Sequence, residues 1–207
     1  MKTNLFRVTA ITLSMLALPV LAPTAATAGV ETIDAAKVPA GRYEIDPSHA
    51  LVAARVNHLG FSETTVRFPK VSGALNYDPA HSEAASVDVT LETGSLSSDW
   101  DARDTDLKSP AFFNVAAFPT ARFTATSLVP VDAAHAKVKG NLTMLGVTRP
   151  VEMDVTLIGA GKGMMGDGRI GLEARGRINR SDFGMKTFLP AVSDAVDIAI
   201  DAEFTQK

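Results

Sequence analysis

Val151–Leu157 reads VEMDVTL. Val151, Met153, Val155 and Leu157 alternate with Glu152, Asp154 and Thr156. Successive side chains therefore go to opposite sides, apolar and then polar, which is the period of a β-strand with one dry and one wet face. The same period recurs along the chain. Val52, Ala54, Val56 and His58 share a side, as do Val71, Gly73, Leu75 and Tyr77, and Val87, Val89 and Leu91. Further on, the sets are Ala121, Phe123 and Ala125, then Val138, Gly140, Leu142 and Met144. Ile170, Leu172, Ala174, Gly176 and Ile178 form the next, and Val196, Ile198, Ile200, Ala202 and Phe204 the last. The spacing predicts about eight strands, punctuated by turn clusters such as Tyr77-Asp78-Pro79 and Gly159 to Gly168.

Antiparallel strands with one dry face must cover it, either by stacking two sheets or by closing one sheet into a barrel. Small residues recur on the dry face: Ala54, Gly73, Ala121, Ala125, Gly140, Ala174, Gly176 and Ala202. They fit close sheet-to-sheet packing, and they also fit a central void. Periodicity leaves both open.

Ser98 to Val115, SDWDARDTDLKSPAFFNV, breaks the alternation. Ser98 or Asp99 is placed to cap a short helix, with Asp101 and Asp104 favourable near its N-terminus. Ser109 and Pro110 suit a second short turn. With Trp100, Leu107 and the ring pair Phe112 and Phe113, the segment has the make-up of a plug over one end of a barrel.

Lys2 and Arg7, the apolar run Val8 to Leu21, and Ala26-Thr27-Ala28 form a secretory signal pattern with cleavage expected after Ala28. The run is short for a bilayer span, which needs about 20 residues. Residues 29–41 then read as an N-terminal linker and 42–207 as one barrel domain. Losing Lys2 and Arg7 takes the net charge from −3 to −5. Basic residues are interleaved with acids, so no nucleic-acid face is expected. The chain has no cysteine, which excludes disulfides, c-type haem and thiolate metal sites. His49, His58, His81 and His135 suggest no metal set. Gly159 to Gly168, GAGKGMMGDG, lacks the ending of a phosphate loop and reads as a flexible hairpin loop.

Several motifs in order, YEIDPSHALV, NHLGFS, GALNYDP, RDTDLKSPAFFNVAAFPTARF, VKGNLTMLGVTRPV and INRSDFGM, resemble the YceI-like, polyisoprenoid-binding periplasmic proteins. The resemblance runs from Tyr43 to the C-terminus. It implies an all-β fold: an eight-stranded antiparallel lipocalin-like barrel with a short helical plug and a long apolar channel. It implies a periplasmic carrier for a polyisoprenoid, of quinone or prenyl-phosphate type, or a similar long amphiphile, and no enzyme. No cofactor is expected beyond a bound isoprenoid lipid or quinone. The expected partner is a long-chain isoprenoid or fatty lipid, with no nucleic acid and no stable membrane insertion. A homodimer stays open. The channel is expected to involve Val52, Ala54, Val56, Leu75, Phe123, Leu142, Met153, Leu172, Phe183 and Ile198. The segment matching Asp104 to Phe118 is implied to pack at the open end beside the ligand, through Leu107, Phe112, Phe113 and Phe118. Relatives usually carry an aromatic residue at the position of Ala54, so the channel is expected to be wider there.

Arg103, Asp104, Asn179, Arg180, Asp182 and Lys186 are the polar candidates for a head group. Arginine suits a phosphate or quinone oxygen. Arg180 and Asn179 are favoured for ligand contact. Asp104 and Asp182 are favoured as fasteners, in arginine–aspartate pairs tying the plug to the last hairpin. Two rivals remain: a barrel-fold enzyme using His58 or an aspartate as base, and a structural β-sandwich without a cavity.

Overall fold

Short turns set the hairpins. Leu145 and Gly146, at φ of 53° and 74°, join two strands in the left-handed pair that matches sheet twist, and Leu59 and Gly60, at 56° and 76°, do the same earlier in the chain. A computed structural model describes residues 28–207. The expected signal segment, 1–28, lies outside the described residues except for Ala28.

The strands are β1 (Gly29–Thr32), β2 (Gly41–His58), β3 (Ser62–Phe68), β4 (Val71–Tyr77) and β5 (Ser86–Glu92). Helix α1 (Asp101–Lys108) follows, then β6 (Thr120–Pro130), β7 (His135–Met144), β8 (Val147–Lys162), β9 (Gly168–Asn179) and β10 (Val192–Gln206). All pairings are antiparallel in the order β8-β7-β6-β5-β4-β2-β10-β9. β9 pairs back onto β8, from Met153↔Gly176 to Lys162↔Gly168, and closes an eight-stranded barrel. The stacked-sheet alternative is thereby corrected, because a closed ring has no second sheet to pack against. β3 extends the wall along the C-terminal half of β2, and β1 does so along the end of β8.

Each of the eight alternating segments lies within a strand of the ring. The inner face is apolar and the outer face is laced with cross-strand ion pairs, such as Arg177–Asp197 at 2.6 Å and Lys137–Asp154 at 2.7 Å. A membrane-spanning barrel has the reverse arrangement. Among the described residues no helix is long and apolar enough to cross a membrane.

Two expected boundaries change. Residues 29–41 are not a free linker. β1 pairs with β8, a short 3₁₀ turn spans Ala35–Lys37, and Val38 is buried in the main core with Tyr43, Ile170 and Phe204. The Ala35 N–H donates to the Ala133 carbonyl at 2.8 Å, so the segment crosses the barrel end as a strap. The loop expected from Gly159 to Gly168 shrinks to the turn between β8 and β9. Gly159 and Gly161 sit in β8 because β1 lies against them: a Cβ on Gly161 would come within 2.1 Å of the Gly29 carbonyl oxygen.

Candidate functional site

The barrel encloses a cavity of about 450 Å³ whose lining is almost wholly apolar. That volume is within the range of roughly 300–1,000 Å³ for small-molecule sites. Inward-facing Val52, Ala54, Phe123, Leu142, Leu172 and Ile198 line it and are only partly buried, so their free surface opens onto the interior. Leu75 and Met153 also line it, as buried wall. The alternation missed none of these in kind, and Val87, Val89, Leu91, Val138 and Val155 join them with the same parity. A cavity-less barrel would bury these side chains against one another, so the cavity-free reading is corrected.

Six of the eight recurrent small residues divide into two groups, and Gly73 and Ala125 are off the lining. Ala54, Ala121, Ala174 and Ala202 line the cavity. Gly140 and Gly176 are instead covered by neighbours: a Cβ there would come within 2.3 Å of the Phe123 ring and of the Met153 sulfur. Large side chains from adjacent strands lie over these two glycines, which narrows the bore locally.

The two ends differ. At one end the lining residues Phe68, Arg180 and Met185 are buried, at 2%, 4% and 6% exposure. α1 and the turns after it pack here, and Phe113 meets Phe68 edge to face at 5.4 Å between centroids. At the other end the lining passes through the strap at Asp34 to Ala36, through Pro79 and Ser82, and through Asp132 to His135. Asp132 and His135 are exposed. Buried Val38, Ile170 and Phe204 also line the strap end, but exposed lining at Asp132 and His135 places the mouth there, and the helical segment covers the far end. The expectation that Asp104 to Phe118 packs at the open end is corrected: the segment packs at the end whose lining is buried, and the exposed lining lies at the strap end.

Of the plug rings only Phe113 lines the cavity. Phe112 points away and packs on Phe188 at 5.9 Å. Phe118 lies against the Gly146 turn. Its carbonyl accepts from Thr93 Oγ1 at 2.8 Å. Leu107 packs on Val66, Phe68 and Leu96 behind the wall, and Phe183 is buried with Ala121 and Met144. Val56 is not on the lining either; it sits between Thr64 and Val196 in the wall above the closed end. Ring direction in a segment without periodicity carries no sequence signal.

Arg180 alone of the polar candidates reaches the cavity, at its closed end. Nε donates to the Ser193 carbonyl at 2.9 Å, Nη1 to Met185 at 3.1 Å and Nη2 to Val192 at 2.8 Å. The side chain therefore also straps the loop before β10, and two N–H groups remain. Burial pulls its pKa down, with Asp194 opposing. Asp194 is held below the usual carboxylate range by the Ser181 hydroxyl at 2.6 Å and N–H at 2.8 Å. Arg103 donates to Ser98 Oγ and to the Ser98 carbonyl, both at 2.7 Å, and lies over Trp100. Asp104 accepts from the Ser98 N–H at 2.7 Å, and burial, which raises its pKa, is outweighed by Ser98. This network fastens the start of α1 to its own approach. The expected pairing of Asp104 and Asp182 with arginines of plug and last hairpin is corrected. The Thr187 hydroxyl, donating to the Ala111 carbonyl at 2.7 Å, makes that link. Asn179, Asp182 and Lys186 are exposed and away from the lining.

Outside the cavity the structure brings together Asp46, His49 and Glu203. The cluster lies where β2 bulges between Ile45 and Ala50 relative to β10. Arg169 Nη1 already bridges Asp46 and Glu203, each at 2.8 Å, so a cation occupies the position a metal would take. The Ser48 hydroxyl, His49 and Arg169 hold Asp46 far below the carboxylate range. His58 is exposed at the end of β2 and off the lining.

A model of the YceI-like domain matches residues 43–204. Protein YceI of Salmonella arizonae is 38% identical over 170 residues, spanning 81% of this chain and 88% of the relative. The crystal structure of a Campylobacter jejuni YCEI protein superposes with a TM-score of 0.67 at 31% identity, over 73% of this chain and 90% of that one. A polyisoprenoid binding domain from Saccharophagus degradans superposes with a TM-score of 0.60 at 16% identity, over 80% and 98%, which is a likeness of fold.

Proposed function

The chain belongs to the YceI-like domain family, and from that premise we propose that it is a periplasmic carrier holding the tail of a long-chain isoprenoid lipid. The observation that carries this reading is the apolar cavity of about 450 Å³ running from the strap to Arg180. The apolar lining supports a long apolar tail, and a fold neighbour described as polyisoprenoid binding supports the isoprenoid class. Each methylene buried is worth roughly 0.8 kcal/mol. A long tail would exceed practical affinity limits if nothing opposed it, but chain ordering and the competing bilayer do. Near-balance between barrel and bilayer suits loading and release.

Polar groups are confined to the two ends. Arg180 offers two remaining N–H groups to an anionic or carbonyl head at the closed end. At the mouth, the Ala134 N–H, with His135, holds Asp132 below the usual carboxylate range. Export rests on the signal pattern of residues 1–28.

Titration with prenyl alcohols of increasing length, in detergent below micelle formation, tests the reading. Affinity should rise with each isoprene unit and then level when the cavity is full. Equal affinity for all lengths, or no binding, would refute it. N-terminal sequencing of the exported form should begin at Gly29.

A further inference from the structure

We propose that the open end of the barrel docks on a phospholipid bilayer, so that a lipid tail passes between membrane and cavity without crossing water. The proposal rests on the cavity being a lipid site. It starts from apolar side chains left in solvent at that end. Ile33, Val129 and Val131 are 59%, 52% and 62% exposed. Ile33 precedes the lining residue Asp34, and Val129 and Val131 flank the lining residue Pro130. Met164 and Met165 are 94% and 92% exposed at the tip of the β8–β9 hairpin. That hairpin outruns β7, the strand on its other flank. β7 begins at His135, opposite Thr156, whereas β8 continues to Lys162 with β1 as its new partner. The methionines thus stand beyond the mouth, on the same end.

Single exposed apolar residues are ordinary on a protein surface, but several gathered at one opening mark an interaction site. Their arrangement favours a bilayer as the occupant. They project from separate turns and a hairpin tip, which suits insertion into a deformable medium better than contact with a flat, rigid partner. A second copy seated there would seal the mouth, whereas a bilayer both covers the apolar groups and supplies the ligand. Local charge is of mixed sign rather than a basic patch: Lys37 pairs with Asp34 at 3.4 Å, and the Asp132 carboxylate meets His135 at 2.8 Å. Docking should therefore occur on neutral phospholipid and depend little on salt.

The opposite end supplies the control. Leu59, Phe61, Trp100 and Phe188 are also exposed there, at 54%, 88%, 61% and 64%, but buried Phe68, Arg180 and Met185 lie behind them, so apolar exposure at that end has no access to the cavity.

The test measures uptake of a dansyl-labelled prenyl alcohol by the full chain, first from detergent and then from phosphatidylcholine vesicles. The variants are Met164→Asp/Met165→Asp, Ile33→Asp/Val131→Asp and Phe61→Asp. Both double variants should bind the probe from detergent as the wild type does. Their uptake from vesicles should slow about tenfold or more, because a carboxylate resists entry into the bilayer. Phe61→Asp should match the wild type in both. Docking is overturned if both doubles load from vesicles at the wild-type rate, or if Phe61→Asp alone is slowed. It is also overturned if the doubles dissociate a dimer in sedimentation while vesicle uptake is unchanged, which would mark an interface between copies. Failure of the wild type to take up probe from detergent would instead remove the lipid reading, and docking with it.

Discussion

Ala54→Phe places an aromatic ring where the cavity is open. Ala54 lies on β2 between Val66 of β3 and Ile198 of β10, on the lining and only partly buried. Fully burying a phenylalanine side chain contributes roughly 1.5–3 kcal/mol, and ordering the ring costs somewhat under about 1 kcal/mol. With room available and no steric penalty, the ligand-free protein should gain about 1–2 kcal/mol. For a chain of this size that raises Tm by about 2–8 °C. The ring also takes space from a lipid tail. Displacing about four methylenes at roughly 0.8 kcal/mol each weakens binding on the order of a hundredfold. Stability and affinity should thus move in opposite directions. The assays are a thermal melt of delipidated protein and a titration with a prenyl alcohol. A fall in Tm of several degrees would mean that position 54 is tightly packed. A rise in Tm with unchanged affinity would mean that the cavity is not where the tail binds.

Phe113→Ala should cost about 3 kcal/mol and also weaken lipid binding per folded molecule. Phe112→Ala should cost about 1 kcal/mol and leave binding unchanged, because its ring packs on exposed Phe188; urea melts with parallel titrations separate the two. Arg180→Met leaves one buried and two partly buried carbonyls without a donor and should lower stability by about 2–3 kcal/mol, with Arg180→Lys recovering part of it in the same melts. Asp46 and Asp194 have folded pKa values below their unfolded value of about 3.9. Their stabilisation is complete above that value and is lost as pH falls below it and through the lower folded values, so Tm should be flat from about pH 7 to 5 and fall below about pH 4. Asp194→Asn should flatten that acid limb; a wild type more stable at pH 4 than at pH 7 would contradict the sign.

The ring of strands was legible because eight segments keep a strict period of two, and a closed barrel keeps one parity facing in. β3 escaped notice although Thr64, Val66 and Phe68 alternate with Glu63, Thr65 and Arg67. Its hydroxyls and charges dilute the contrast that marks a half-buried strand. β1 is too short for any period to register, and its place depends on Gly159 and Gly161 lacking side chains. The lining was legible by parity, whereas the direction of the bore was not. Which end is closed depends on where the Ser98–Pro119 connection folds back, and adjacent Phe112 and Phe113 point to opposite sides without a pattern to show it. The partners of Arg180 are backbone carbonyls, which have no residue-type signature. The Asp46, His49, Glu203 and Arg169 cluster required the bulge in β2, which shifts parity between Ile45 and Ala50 and is visible only in the register with β10.

Native mass spectrometry of the protein purified from its own organism, without detergent, tests the carrier reading most directly. One long isoprenoid lipid should be found per chain, lost on solvent extraction and regained on incubation with the extract. A chain of bare mass that regains nothing from the total lipid extract would contradict it.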